Sequence, residues 1–140
     1  MFGIDISEYS LKYATRLLKQ KFNENQFSLN LGDIQKGLDI PSQSMEFGLM
    51  AEILEHIHKP EAAIGRMKNV LKPCSPLWIV VPINGNAMDH ITNYQSPNEV
   101  ELLMTNNGFD IDCQNVFSVK QFNPKSKDKT EIYVAVCVSR

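Results

Sequence analysis

Two carboxylates and an imidazole lie close together in the segment AEILEHIHKPEAAIGRMKNVLKP, residues 51–73. Glu52, Glu55 and His56 precede a predicted helix that begins at Pro60. A carboxylate beside an imidazole can act as a general base pair, or it can help to bind a divalent cation such as Mg²⁺ when another ligand joins it. A solvated turn at the start of a helix would use the same residue types, so this segment alone leaves both interpretations open.

Other polar side chains follow other predicted strands. Asp5 ends a short apolar run, Asp33 follows the alternating run FSLNL, and His90 lies in the loop after LWIVVP. Asp5 could accept hydrogen bonds from ribose hydroxyls, or it could help to cap the next helix. Asp33 could bind the exocyclic amine of a purine, or it could belong to an ordinary Gly-Asp turn. His90 could approach the same crevice as the Glu52–His56 group, although a lone loop histidine is more often surface-exposed, so each residue keeps two interpretations.

Helix signals predict three elements that must position these side chains. Ser7 is a suitable N-cap for a first helix, and Pro60 and Pro97 suit the first positions of a second and a third. Ser96 and Glu99 are spaced as a capping box for the third helix. Apolar residues at helical spacing give each helix one face that packs against another element.

Alternating and continuous apolar runs predict six strands, which are, in order, FGID, FSLNL, MEFGLMA, LWIVVP, FDIDC and IYVAVCV. Gly48 weakens the third prediction because glycine has no side chain to pack. The continuous run LWIVVP is typical of a strand covered on both faces. Strands that alternate with helices indicate an α/β domain with a mostly parallel sheet, and the last two strands predict a C-terminal antiparallel pair. Ligands bind such sheets outside the carboxyl ends of the strands, where the polar residues named above fall.

Composition limits the classes of protein that the chain can belong to. Its 140 residues fit one domain, 1–140, and a net charge of −2 with 21% charged residues is typical of a globular protein. The basic run NPKSKDK at 123–129 is interpreted as a solvated loop, so a nucleic-acid partner is not expected. No apolar stretch approaches the roughly 18 residues that span a bilayer, and no signal peptide is recognisable, which predicts a cytoplasmic protein.

The cysteines do not indicate a zinc site or a disulfide framework. There are three, and none forms a CxxC pair. Cys113 and Cys137 fall in predicted strands, and we expect both to be small core residues.

Four stretches together resemble the class I S-adenosylmethionine-dependent methyltransferases, in particular small-molecule and quinone-pathway O-methyltransferases. They are GIDIS, LGDI, AEILEHIHKPEAAIGRMKNVLKPCSPLWIVVP and HITNYQSPNEVELLMTNNGFDI. The resemblance covers nearly the whole chain and implies a Rossmann-like fold with S-adenosylmethionine as cofactor. It also implies cofactor contacts: Asp5 at the ribose, Asp33 and Ile34 at the adenine, Ala51 near the methionine part, and Ile6 as a further cofactor-binding residue.

The same resemblance bears on the metal. Some members hold Mg²⁺ through an acid, two residues, an acid and a histidine, a pattern that Glu52, Glu55 and His56 match. His90 would be a further ligand in the arrangement found in enzymes that methylate a terminal ribose of RNA. His56 would then be the catalytic residue, either as a base or as a metal-linked activator of an acceptor hydroxyl.

The chain also departs from the family pattern. The family begins with a strand and a glycine-rich turn, whereas this sequence starts at the second strand, so we expect a partial domain, N-terminally truncated relative to the family. The missing strand would leave two unpaired strand edges. These edges could be paired in three ways. The two strands could pair directly, a partner chain or a second copy in a homo-oligomer could supply a strand, or the strand could belong to a longer protein. Cys74 and Ser75 replace a usual glycine pair.

The resulting functional prediction is transfer of a methyl group from S-adenosylmethionine to a small-molecule nucleophile, with oxygen as the expected atom. A non-catalytic methyltransferase-like fragment that serves as an interaction module is the alternative. An RNA ribose 2'-O-methyltransferase ranks last, because the chain has no basic patch.

Overall fold

The computed structural model of the chain describes residues 1–37, 39–85, 87–120 and 129–140. Contacts divide it into two compact units, Met1–Asp39 and Ile40–Arg140, and the single domain expected from length stays a prediction. The strands and long helices follow the predicted order. Of the basic run at 123–129, residues 123–128 lie outside the described residues. In the described part, no helix has the length and apolar character needed to cross a membrane.

The first unit is a two-stranded parallel sheet with one long helix. Its elements are β1 (Phe2–Asp5), α1 (Glu8–Leu18), a short 3-10 helix (Glu24–Gln26) and β2 (Ser28–Leu31). Ser7 is the N-cap of α1, as predicted, and its side chain accepts a hydrogen bond from the Ser10 N–H at 3.2 Å. Asp5 lies opposite Leu31, so the carboxyl ends of β1 and β2 lie side by side.

The second unit is built on a four-stranded sheet in the order β3-β4-β6-β5. Its elements are β3 (Gly48–Ala51), a 3-10 helix (Leu54–His56), α2 (Pro60–Val70), β4 (Pro76–Ile83), α3 (Pro97–Asn106), β5 (Phe109–Lys120) and β6 (Lys129–Ser139). β3 and β4 are parallel, whereas β6 is antiparallel to both β4 and β5. The structure therefore confirms an α/β fold with a C-terminal antiparallel pair.

Each of the two parallel pairs has an edge without a strand partner in the described residues. β3 is the terminal strand of its sheet and pairs with β4, and β1 pairs with β2. These are the strands that the sequence expected to have unpaired edges. What covers the edges stays a prediction.

Burial alternates along β4 from Leu77 to Val81, which corrects the expectation that both faces of this strand are covered throughout. Leu77, Ile79 and Val81 are fully buried, but Trp78 is 45% exposed. Alternate strand residues point to opposite faces of a sheet, so one face of β4 forms the core and the other is partly open. The run LWIVVP is continuously apolar because the residues on the second face of β4 are also apolar, although that face is not fully buried.

The two strand cysteines have different environments. Cys137 is buried, as predicted, but Cys113 is exposed, so the prediction of a core position for Cys113 is wrong. Ile111 lies opposite Cys137, and a β-bulge then shifts the register so that Cys113 lies opposite Val136. A bulge inserts one extra residue and reverses the alternation of faces, a change that the sequence pattern did not reveal.

The N-terminus of α3 is capped differently from the prediction. Pro97 is the first helical residue, as predicted, but the Ser96 side chain makes no capping hydrogen bond. The Glu99 carboxylate instead accepts a hydrogen bond from the Gln95 N–H at 3.2 Å. The Glu99 side chain thus reaches one residue further back than a capping box requires, and that prediction is wrong.

The lack of a side chain at Gly48 is a packing requirement of β3. A Cβ atom there would lie 2.8 Å from Cδ1 of Leu77 and 2.8 Å from Cε of Met67. Leu77 is fully buried and has little room to move. The glycine that weakened the strand prediction thus permits close contact between β3, β4 and α2.

We predict that Gly48→Ala lowers the free energy of unfolding by about 1–2 kcal/mol, because the added methyl group overpacks a filled site. The matched control is Gly65→Ala in α2, where an added Cβ meets nothing within 4 Å. That variant should gain about 1 kcal/mol, because alanine is the better helix former. Urea denaturation of the three proteins measures both changes. Equal stability of Gly48→Ala and wild type would contradict the packing argument.

Candidate functional site

The backbone turns sharply after β3. The Glu52 N–H donates to the Val80 carbonyl at 2.9 Å, which extends the β3-β4 pairing by one residue. Glu52 has φ +54°, a left-handed conformation that is uncommon for a residue with a side chain. The short 3-10 helix Leu54–His56 follows and buries Leu54 and Glu55. This turn places the carboxylate of Glu55 inside the unit rather than in solvent.

The loop after β4 is tied to this turn. The Asn84 N–H donates to the Tyr94 carbonyl at 2.8 Å, which brings the end of the loop back to the end of β4. The Glu55 carbonyl accepts hydrogen bonds from the N–H groups of Ile91 at 2.8 Å and Thr92 at 3.0 Å. The segments that follow two neighbouring parallel strands are thus fixed against each other at the carboxyl end of the sheet.

Three of the four predicted metal residues converge at this junction. One potential ligand atom from each of Glu55, His56 and His90 lies within 4.8 Å of the other two. Nε2 of His56 is 3.7 Å from Oε1 of Glu55, and the two imidazole rings meet edge to face with centroids 5.1 Å apart. Glu52, the fourth predicted residue, is exposed and is not a member of this group in the described residues. Its predicted role as a ligand stays a prediction.

Backbone carbonyls orient both imidazoles. Nδ1 of His56 lies 3.0 Å from the Asp89 carbonyl oxygen, and Nδ1 of His90 lies 2.8 Å from the Gly85 carbonyl oxygen. A carbonyl oxygen can only accept, so each Nδ1 carries the proton and each neutral ring keeps a lone pair on Nε2. Asp89 and Gly85 were not predicted as site residues, because a contribution from the main chain has no signal in residue type.

Gly85 also gives the His90 ring its space. A Cβ atom on Gly85 would lie 3.1 Å from Cε1 of His90 and 3.1 Å from Cβ of Pro82. Contacts this short are tighter than ordinary van der Waals distance, so a larger residue would displace the ring. The glycine holds the His90 imidazole close to the end of β4.

The Glu55 carboxylate is buried beside the two imidazoles. Its side chain is fully buried, and neither oxygen has a hydrogen-bond partner in the described residues. Burial raises the pKa of Glu55, and the charge of Glu52 acts in the same direction. The nearby backbone N–H of Glu55 itself and the imidazoles of His56 and His90 oppose that rise. A buried carboxylate without a partner is costly, which marks this position as a candidate functional site.

The predicted nucleotide residues of the first unit lie at the carboxyl ends of β1 and β2. Oδ1 of Asp5 accepts the Ser7 N–H at 2.7 Å, while Oδ2 has no hydrogen-bond partner in the described part of the chain. Asp5 thus combines the local turn role with a free acceptor suited to a ribose hydroxyl. Ile6, beside it, is 76% exposed.

Asp33 and Ile34 form a turn after β2. Oδ1 of Asp33 accepts the Gln35 N–H at 2.9 Å, and the Asp33 carbonyl accepts the Lys36 N–H at 2.9 Å. The ordinary turn role is therefore present, and contact of these residues with an adenine stays a prediction. In the second unit, Ala51 ends β3 opposite Val80 and is exposed, and its predicted contact with the methionine part also stays untested.

Comparison with known proteins identifies the family. A family model described as a methyltransferase domain matches residues 1–133. The chain therefore belongs to the S-adenosylmethionine-dependent methyltransferases, a class I family, and the predicted family is confirmed. A search of curated protein sequences finds no match.

Solved structures show the same fold. The [4+2]-cyclase SpnF matches with a TM-score of 0.81 and 13% identity over 99% of this chain, which spans 65% of that protein. A methyltransferase from Methanosarcina mazei matches with a TM-score of 0.76 and 16% identity. The match covers 99% of this chain and 81% of that protein. A methyltransferase from Aquifex aeolicus matches with a TM-score of 0.68 and 19% identity. The match covers 96% of this chain and 67% of that protein. At these identities the matches establish the Rossmann-like fold alone.

We predict that Glu55→Met raises the free energy of unfolding by about 1–3 kcal/mol at neutral pH in the presence of EDTA. Methionine fills a similar volume without an unpaired charge. Since the folded pKa of Glu55 is raised, its ionisation destabilises the folded state as the pH rises. The advantage of methionine should therefore shrink in acid, where the carboxyl group is protonated. Chemical denaturation at several pH values measures both effects, and a less stable variant at neutral pH would show that the carboxylate is a structural group.

Proposed function

We propose that the chain transfers a methyl group from S-adenosylmethionine to an oxygen atom of a small molecule. The observation that carries the proposal is the free Nε2 lone pair of His56, held at the carboxyl end of a parallel strand pair in a methyltransferase fold. That end of an α/β sheet is where ligands bind. The proposal rests on this geometry together with family membership.

The cofactor supplies an electrophilic methyl group on a sulfonium sulfur. Asp5 would hold its ribose through the free Oδ2 oxygen, with Ile6 alongside, and Asp33 and Ile34 would border its adenine. Ala51 would lie near its methionine part. The remaining tasks of the protein are to orient the acceptor in line with the methyl group and to exclude water.

His56 would act as the general base for the acceptor hydroxyl. Its Nδ1–H donates to the Asp89 carbonyl, which fixes the tautomer and leaves Nε2 able to accept a proton. The ring is partly exposed, with 36% of its side-chain surface accessible, so an acceptor can reach it. Acceptance of the proton would produce an imidazolium 3.7 Å from the Glu55 carboxylate, which would stabilise it.

A small-molecule acceptor is favoured over RNA. The chain has a net charge of −2, and a protein that binds the RNA backbone usually carries a basic excess. An RNA ribose acceptor therefore stays the weaker alternative, although the predicted Mg²⁺ set would serve it. Among the finer predictions, oxygen as the acceptor atom is tested by the methyl-transfer experiment below, and Mg²⁺ as the ion stays a prediction.

Cofactor binding is tested by titrating S-adenosylhomocysteine into the wild-type chain and into Asp5→Asn in a calorimeter. Asparagine keeps the oxygen that accepts the Ser7 N–H, but it replaces the free carboxylate oxygen with a donor. We expect the affinity to fall by about tenfold or more, as for a lost hydrogen bond to a charged group.

Asp39→Asn is the matched control, because Asp39 is an exposed carboxylate in the same unit. The affinity of Asp39→Asn for S-adenosylhomocysteine should equal that of wild type. Wild-type affinity in a folded Asp5→Asn protein would contradict the ribose assignment. No binding to the folded wild-type chain would favour the alternative of a non-catalytic interaction module, for which the β1 and β3 edges without strand partners in the described residues are the supporting observation.

Catalysis is tested by His56→Ala, which should reduce methyl transfer by about 10²–10⁴-fold, the usual contribution of a general base. The measurement is transfer of a radiolabelled methyl group from S-adenosylmethionine to a panel of phenols and catechols. His58→Ala is the control, since His58 is an exposed histidine two positions away. Unchanged turnover in His56→Ala would remove His56 from the reaction.

A further inference from the structure

We propose that one face of the four-stranded sheet binds a second copy of this chain. This open face lies opposite the core face and consists of alternate residues of the four strands, within 47–51, 76–80, 132–138 and 113–117. The proposal concerns assembly of the chain, and it holds whether or not the chain transfers a methyl group.

The register of the strands places the side chains of the open face in rows across the sheet. Leu49 lies opposite Trp78, Trp78 lies opposite Val136, and Val136 lies opposite Cys113. Paired residues of neighbouring strands point to the same face, so these four side chains are neighbours. The Phe47 ring meets the Trp78 ring edge to face, with centroids 5.9 Å apart, and therefore belongs to the same face.

The open face is apolar and partly uncovered. Within 47–51, 76–80 and 132–138, every residue on this face is apolar. Leu49 is 55% exposed, Trp78 is 45% exposed and Phe117 is 50% exposed, whereas the residues that alternate with them on β3 and β4 are buried. A parallel strand pair such as β3 and β4 usually has both faces covered. The open face is therefore suited to a partner that covers it.

A second copy suits this face because the face has little charge. A copy presents the same surface, so a face of one charge would repel its own copy. The charged pair on this side is Arg140 and Asp110, whose Nε and Oδ1 atoms lie 3.2 Å apart at one end of the face. Two apolar sheet faces pack about 10 Å apart, and a two-fold axis brings the same patch of both copies into contact.

The area of the open face fits a reversible dimer. An aromatic side chain has about 150–250 Å² of surface, so the exposed halves of Phe47, Trp78 and Phe117 amount to roughly 300 Å². Leu49 and the partly exposed valines bring the face to about 500–600 Å², which is large for an apolar patch on a monomer. Two copies would bury about 1,000–1,200 Å² in total, close to the lower limit for specific interfaces. We therefore expect a Kd on the order of 10 µM.

The test is sedimentation velocity of the full chain in a reducing buffer, at concentrations on both sides of the expected Kd. Leu49→Glu should raise the Kd by at least about 30-fold, because the dimer would bury a carboxylate without a partner. Trp78→Gln should raise it by a similar factor, since tryptophan is a typical interface anchor. Trp78 lies on β4, which has a strand on each side, so this variant separates contact through the face from pairing at the β3 edge.

Leu102→Glu is the matched control, because Leu102 is 62% exposed on α3 and lies outside the open face. This variant makes the same chemical change as Leu49→Glu and should dimerise as wild type does. Circular dichroism confirms that each variant is folded. A wild-type chain that stays monomeric at every concentration would overturn the proposal. A dimer that persists unchanged in Trp78→Gln would overturn it as well, and would indicate contact through a strand edge.

The exposed cysteines of the wild-type chain give a second readout. Cys113 lies on the open face, whereas Cys74 is exposed outside it. At about tenfold above the Kd, roughly a fifth of the chains are monomeric, so alkylation of Cys113 should slow about fivefold. The rate at Cys74 should stay the same. An unchanged rate at Cys113 across the concentration range would contradict the proposed contact. Both readouts are independent of cofactor binding, so failure here is separate from failure in the Asp5→Asn titration.

Discussion

The peptide carbonyl of Glu55 is the point on which the candidate site depends. By accepting the N–H groups of both Ile91 and Thr92, it holds the loop after β4 against the turn after β3. His56 and His90 are far apart in sequence, and this pair of hydrogen bonds brings their rings into edge contact. The same residue contributes a buried side chain to the junction, so one position both joins the two loops and supplies the charge between them.

The parts of the fold that the sequence predicted are those controlled by local chemistry. Ser7 and Pro60 mark helix starts because capping oxygen atoms and a fixed proline φ act within one turn. Predictions failed where a distant partner or an extra residue decided the outcome. Cys113 is exposed because a β-bulge shifts the register of β5. Glu99 accepts a hydrogen bond from the Gln95 N–H rather than from the N–H of Ser96, which a capping box would use. The clustering of Glu55 with His90 was expected from the family resemblance and from the topology of parallel strands, and no local sequence pattern indicated it.

Family membership does not by itself assign a reaction to this chain. A [4+2]-cyclase shares the fold with a TM-score of 0.81, so one scaffold carries different chemistries. The assignment of function must therefore rest on particular groups. Among the described residues, Oδ2 of Asp5 in the first unit has no hydrogen-bond partner, and Nδ1 of His56 in the second donates to the Asp89 carbonyl, which leaves the Nε2 lone pair available. Each group is separately testable, because each belongs to its own compact unit.

The energetics of Glu55 bear on the choice between an enzyme and an inert scaffold. A scaffold needs a stable core, and an apolar residue of similar volume serves that need better than an ionised carboxylate without hydrogen bonds. The chain instead keeps a carboxylate in a fully buried position beside two imidazoles whose tautomers are fixed by carbonyl groups. Such an arrangement costs stability and is pre-organised for a proton or a cation. Functional sites often lower the stability of the fold at a cluster of pre-positioned side chains. The cost at Glu55 therefore favours a chemical role over a purely structural one.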